Sequence, residues 1–167
     1  MKLSKLNFAL AACMLIACAG FSQTIRRDSP APDFSITLSS GETKKCSDYK
    51  GKAVLLHFWA TWCPPCRAEL PEMNALAEQL QAQGENAKLA FLGICVSDTE
   101  KSRADFMEKN GYTFPGGLDQ KGEIASLYGI QGIPASILIS ADGTVLDIHV
   151  GRMTSSMLHS FIEGYEK

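Results

Sequence analysis

Between Ala53 and Trp59 the chain reads Ala-Val-Leu-Leu-His-Phe-Trp, apolar at every position but one. A run of that kind is what a central strand covered on both faces requires, and it predicts a strand over Lys52–Trp59. The period then changes. From Cys66 the apolar residues recur at helical spacing, through Leu70, Met73, Ala77 and Leu80, which predicts a helix to about Gln83 with Gly84 closing it. Pro71 lies inside this helix and removes one hydrogen bond, to the Arg67 carbonyl, so a kink and not a stop is expected. Leu89, Phe91, Leu92, Ile94 and Val96 repeat the buried-strand pattern over Lys88–Val96, and Thr99–Asn110 predicts a second helix with Gly111 at its end.

The flanking segments are shorter. Asp33–Leu38 alternates around Phe34, Ile36 and Leu38, turns at Ser39-Ser40-Gly41 and returns over Glu42–Cys46, a hairpin in which Cys46 falls where an apolar residue is wanted. Ser47–Gly51 reads as a capped turn. Tyr112–Asp119, with Pro115-Gly116-Gly117, reads as an irregular connector, and Gly122–Tyr128 as a short helix. Ala135–Ser140 and Thr144–Val150 form an antiparallel pair about the tight turn Ala141-Asp142-Gly143. Thr154 caps a last helix with Met157, Leu158, Phe161, Ile162 and Tyr165 on one face. The order is hairpin, βαβα, short helix, ββα: an α/β protein with a central mixed sheet and helices on both faces.

At 167 residues, 46% hydrophobic and 20% charged, the chain has the composition of one globular domain with a core of its own. Its first residues are of another kind. Lys2 and Lys5 precede an apolar run from Leu6 to Ala19, too short to span a bilayer comfortably, and polar residues follow. We read residues 1–22 as a signal peptide or lipoprotein signal, 23–32 as a linker containing Pro30 and Pro32, and 33–167 as the domain. Leu15-Ile16-Ala17-Cys18 resembles a bacterial lipobox, which makes Cys18 the candidate for lipidation and membrane anchoring. Leu10-Ala11-Ala12-Cys13 fits the same pattern with a shorter apolar run before it, and ordinary cleavage near Phe21-Ser22-Gln23 competes. Each fate places the domain outside the cytoplasm, in the periplasm or anchored to a membrane facing it. Formal net charge is −2, and −4 without the first 22 residues. No basic patch stands out, so no nucleic-acid partner is expected.

Cys46, Cys63, Cys66 and Cys95 remain for chemistry. Cys63 and Cys66, three positions apart at the start of a helix, can close a small disulfide ring. Cys63 falls at the helix N-terminus, where unpaired N–H groups and the macrodipole favour the thiolate, so it is the candidate attacker. Cys66, one turn inside, is the candidate resolving thiol. Pro64 and Pro65 suit the first turn, whose N–H groups lack intrahelical partners anyway. A zinc site needs four ligands, and neither a second cysteine pair nor a His-x-x-x-His exists, so no metal or cofactor is expected. An inert disulfide over so short a loop stabilises little.

Phe58-Trp59-Ala60-Thr61-Trp62-Cys63-Pro64-Pro65-Cys66 resembles the active site of the thioredoxin superfamily. With Arg67-Ala68-Glu69-Leu70-Pro71 the string is similar to that of the extracytoplasmic TlpA/ResA/DsbE branch. The resemblance runs from Ala31-Pro32-Asp33-Phe34 to the final helix. It implies a thioredoxin-like three-layer sandwich with an added N-terminal β-hairpin and an insertion at about Ser97–Leu118. It implies too that Gly132-Ile133-Pro134 is the family's cis-proline loop, where the Ile133 backbone bonds an extended substrate segment. Trp62 and Pro64 then join Ile133 and Pro134 as substrate-binding residues. Glu69 matches the glutamate that the branch places beside the cysteines. It lies on the helical face of Cys66, where a carboxyl of raised pKa could take the Cys66 proton, although a solvated first-turn acid fits the position as well. His57 departs from the buried Asp of thioredoxins. Its imidazole is a candidate for proton relay or pKa tuning, and a satisfied core histidine is the plain alternative. Ala135 departs from the acidic residue of the cytochrome-maturation subset. Cys95 reads as an apolar filler.

The activity implied is that of a thiol–disulfide oxidoreductase. It reduces cysteine-containing extracytoplasmic proteins through a Cys63/Cys66 cycle and is re-reduced by a membrane thiol–disulfide donor. A Cu(I) metallochaperone built on the same thiolates is the rival from another class, with His149 or Met153 as further ligand. A peroxiredoxin is the enzymatic runner-up. Its Pro-x-x-x-Thr-x-x-Cys string meets Leu56 and Ala60 when counted back from Cys63, and Ser39 and Thr43 from Cys46.

Overall fold

The all-apolar run becomes the middle of the molecule. The computed structural model describes residues 25–165; residues 1–22, expected to be a targeting segment, and Cys18 within them lie outside the described residues. In chain order the elements are β1 (Ser35–Thr37), β2 (Thr43–Lys45), β3 (Ala53–Trp59), α1 (Pro64–Gln83), β4 (Leu89–Val96), α2 (Glu100–Asn110), β5 (Gly116–Asp119), α3 (Glu123–Leu127), β6 (Ala135–Ile139), β7 (Val145–Val150) and α4 (Ser155–Phe161). Strands β5-β4-β3-β6-β7 form one sheet, and β1-β2 a separate hairpin. β3 pairs in parallel with β4 and antiparallel with β6, which buries every one of its residues.

Alternation along β3 divides the core. Ala53, Leu55 and Trp59 face a cluster built with Leu70, Met73 and Ala77 of α1, Met107 of α2 and Leu158 of α4. Val54, Leu56 and Phe58 face the other side, against Phe34 and Ile36 of the hairpin region and Ile124 and Ala125 of α3. Two apolar faces on one sheet need two covering layers, and the result is the three-layer sandwich with its added hairpin. α1 runs unbroken through Pro71 and ends at Gly84, whose φ of 57° favours glycine. Among the described residues no helix is long and apolar enough to cross a membrane.

Three expectations need correction, the third of them at Cys46 below. Tyr112–Asp119 is not wholly irregular, because Gly116–Asp119 forms the parallel edge strand β5 against β4. Glycine pairs argue against a strand on propensity, but here crowding requires them. A Cβ on Gly116 would meet the Gly93 carbonyl oxygen at 2.3 Å, and one on Gly117 the Thr37 carbonyl oxygen at 2.3 Å. The hairpin is fastened at this edge, by a bridge between Leu38 and Gly117 and by Ser39 N–H donating to Gly116 O at 3.0 Å. Gly117→Ala should therefore lower unfolding stability by about 1–3 kcal/mol in urea titration; an unchanged midpoint would mean that the backbones can part freely. Met157 is the second correction, since it is 42% exposed. The stripe that packs is Leu158, Phe161, Ile162 and Tyr165, and Met157 sits one residue, about 100°, off it.

Residues before the hairpin are tied down. Asp28 N–H donates to Val145 O and Ala31 N–H to Gly143 O, each at 2.9 Å. Cys46 opens a 3₁₀ turn, Cys46–Tyr49, instead of closing a strand, and its thiol lies 3.6 Å from the Tyr128 hydroxyl.

Candidate active site

β3 delivers the chain to Cys63, which caps α1 in extended conformation. Pro64 and Pro65 occupy the first two helical positions, where a missing N–H costs nothing. Cys63 and Cys66 form a disulfide, S–S 2.05 Å and Cα–Cα 5.3 Å. The Cys66 N–H donates to Cys63 Sγ at 3.2 Å, so the first amide available after the prolines points at that sulfur. Cys63 is 3% exposed and Cys66 0%.

Across from the pair, the Ile133–Pro134 peptide is cis. The Ile133 carbonyl oxygen lies 3.7 Å from Cys63 Sγ, and Gly151 N–H donates to the Pro134 carbonyl at 2.8 Å, which ties the loop to the end of β7. Around the nearly covered sulfurs the rim is open: Trp62 is 58% exposed, Pro64 and Gly132 are exposed and Ile133 is half-buried.

Linear reading missed the group that holds this rim. The Asp98 carboxylate accepts from Thr61 N–H at 2.9 Å, Thr61 Oγ1–H at 2.7 Å and Thr99 N–H at 2.8 Å. Burial pushes the Asp98 pKa up, but these donors outweigh it and the net shift is downward. One residue earlier, Ser97 O accepts the Trp62 indole N–H at 3.1 Å. Thr61 and Trp62, just ahead of Cys63, are thus clamped by the turn after β4. Thr61 and Asp98 are 37 residues apart. They meet because parallel pairing sets Trp59 opposite Cys95. Cys95 is more than filler: its thiol lies 3.7 Å from the Asp98 carboxylate, and burial first, then that negative charge, push its pKa up.

Glu69 is buried at 1% exposure, which removes the solvated-acid alternative. Its Oε2 accepts from Met153 N–H at 2.7 Å and its Oε1 lies 3.3 Å from His57 Nε2. Burial pushes its pKa up to about 7 against the pull of the Met153 N–H and the Arg152 charge. His57 is fully buried, with Nδ1 3.0 Å from Ser136 Oγ. Burial lowers its pKa to about 3, so the ring is neutral. His57 is therefore satisfied at one nitrogen only. Nε2 and Glu69 Oε1 face one another without an aligned hydrogen bond and without contact with water.

The two further copper-ligand candidates are placed differently. His149 packs on the Phe161 ring at 6.3 Å, while Met153 is buried in the cluster that holds both cysteines. Among the described residues no group of three or more His, Cys, Asp or Glu is placed to hold a metal ion. Cys46 lies by the start of β3, lining a pocket with Lys52 and Val54, at the end of the strand away from Cys63.

A disulfide capping the helix after a central strand, with a cis-proline loop against it, defines a thioredoxin-like protein of the Cys-x-x-Cys kind. The chain belongs to the AhpC/TSA family, whose model matches residues 28–148. It is 36% identical over 135 residues to the thiol-disulfide oxidoreductase ResA of Geobacillus kaustophilus, covering 81% of this chain and 75% of the relative. It is 39% identical over 142 residues to the thioredoxin-like protein YneN of Bacillus subtilis, covering 83% and 80%. A thiol:disulfide interchange protein of the thioredoxin family from Chlorobium tepidum superposes with a TM-score of 0.69 at 29% identity, over 86% of this chain and all of the other.

Proposed function

We propose that this protein is a thiol–disulfide oxidoreductase that reduces disulfides of cysteine-containing proteins outside the cytoplasm. The observation that carries the reading is the Cys63–Cys66 disulfide at the start of α1, facing the cis-proline loop. In the dithiol form the Cys63 thiolate attacks one sulfur of a substrate disulfide; that S–S bond breaks and the other substrate sulfur leaves as a thiolate. Cys66, its proton passing to Glu69, then attacks Cys63 Sγ. The second substrate sulfur departs, two electrons have moved to the substrate, and the pair is oxidised. Re-reduction reverses these steps with a membrane dithiol as electron donor.

Trp62, Pro64, Ile133 and Pro134 receive the substrate as an extended segment, with the Ile133 backbone as its hydrogen-bonding edge. The charged, then apolar, N-terminus supports export, and Cys18 is the residue that would carry lipid. Expression of Cys66→Ala in the native host tests the reading. Attack by Cys63 survives and release fails, so cysteine-containing clients should accumulate as mixed disulfides on Cys63, identified by mass spectrometry. No trapped client would overturn it.

A further inference from the structure

Glu69, His57 and Ser136 form a buried polar line where α1, β3 and β6 meet, inside a layer otherwise built of apolar side chains. Its two contacts are a hydrogen bond between His57 Nδ1 and Ser136 Oγ, 3.0 Å, and a close approach of Glu69 Oε1 to His57 Nε2, 3.3 Å, that is not aligned as a hydrogen bond and becomes one in each state described below. Sheet register carries the line outward. Ser136 is the cross-strand partner of His57 on one side and of His149 on the other, so all three side chains stand on one face of β3, β6 and β7. β7 is the sheet edge, and the half-buried His149 lines a surface groove there with Met153, Ser156 and Phe161.

A carboxyl that takes and returns a proton must exchange it with water, and Glu69 Oε1 has no contact with water. We infer that Glu69 loses and regains its proton through His57 and Ser136, by a change of imidazole tautomer, with the groove at His149 as outlet. The inference rests on Glu69 serving as the proton acceptor of Cys66. In one state the Glu69 carboxylic acid donates to Nε2 and Nδ1–H donates to Ser136 Oγ. To ionise, the acid passes its proton to Nε2, Nδ1–H passes its own to Ser136 Oγ, and the Ser136 hydroxyl proton leaves toward His149 and water. The second state is a carboxylate accepting from Nε2–H, with the new Ser136 hydroxyl donating to Nδ1. One proton has left, the ring has stayed neutral, and every group keeps a partner. This second state is the base that meets Cys66.

The charged or titratable groups facing the line are the Cys66 thiol of the reduced protein, three residues before Glu69 on α1, Arg152, from the β7–α4 connection, beside Glu69, and His149 and Asp147 of β7 at the groove. The Phe91 ring, 6.3 Å from the His57 ring, adds no charge.

His57 is a positioning residue here and touches no substrate, so the test is spectroscopic. Full-length protein carrying ¹⁵N-histidine should be titrated from about pH 5 to 9 with the Glu69 carboxyl followed by ¹³C. The proton on the His57 ring should move from Nδ1 to Nε2 with the same midpoint as Glu69, without an imidazolium signal. One fixed tautomer across that range would overturn the inference. Ser136→Ala should displace both midpoints together by at least about half a pH unit; unchanged midpoints would also overturn it. Glu69→Gln separates this from the underlying reading. A normal rate of mixed-disulfide resolution in that variant would remove Glu69 as base, whereas a slowed rate beside a fixed wild-type tautomer would remove the relay alone.

Discussion

Cys63→Ser should lower disulfide-exchange turnover at least about 10³-fold, the size of effect that follows loss of a nucleophile. The serine hydroxyl is not ionised at neutral pH and cannot form the disulfide that two-electron transfer requires. Cys66→Ser also loses turnover, but it keeps the attacking sulfur, so a chromogenic disulfide should still release one equivalent in a burst. The asymmetry follows from position. Cys63 caps α1, the Cys66 N–H points at its sulfur, and the exposed Trp62 and Pro64 flank it. A helix N-terminus stabilises the thiolate, so Cys63 in the reduced protein should titrate below the free-cysteine value of about 8.5. Equal bursts from the two variants would refute the assignment of attacker and resolver.

Glu69→Gln should make the protein more stable and a poorer catalyst. The Glu69 carboxyl, ordinarily near 4.5, is raised to about 7 by burial. Between those values the unfolded chain has given up the proton and the folded chain holds it, so stability falls as pH rises through the window. At one unit per 1.36 kcal/mol, the full loss above pH 7 is about 3 kcal/mol. Glutamine fills the same space, accepts from Met153 N–H and carries no charge, so the variant should gain about that much at pH 8 and nothing at pH 4. His57 sets the opposite limb. Its pKa is held down from 6.5 to about 3 by burial, so the unfolded chain gains a proton first and stability falls as pH drops through that interval. The substitution should leave that acid limb in place. Urea titrations at pH 4, 6 and 8 measure both limbs, and identical stability of wild type and variant at pH 8 would contradict the burial of an ionising Glu69. Resolution of the mixed disulfide by Cys66 should slow by about 10²-fold, the lower end of what general bases contribute.

Local order was legible where one period or one capping residue decides it. The unbroken apolar run became β3, helical spacing from Cys66 became α1, and Gly84 and Gly111 ended their helices. β5 escaped because its glycines are poor strand formers by themselves, and only the approach of the Gly93 and Thr37 carbonyls explains them. For Glu69 the spacing left two readings open, a carboxyl of raised pKa beside Cys66 and a solvated first-turn acid, and only the fold chose the buried one. A carboxylate three residues past Cys66 suits solvent until Met153, 84 residues on, brings its N–H across.

The amino-acid sequence by itself determined the pair of cysteines, the strand that carries them to a helix start, and the two-faced apolar pattern that demands a layer on each side of the sheet. Those follow from covalent spacing and side-chain periodicity, which act within a few residues. Only the tertiary structure decided that Asp98 grips Thr61, that His57 stands between Glu69 and Ser136, and that β5 closes the sheet against the hairpin. Each of these depends on strand register and on which chains approach closely, and residues far apart in sequence acquire a common environment only when the sheet has paired.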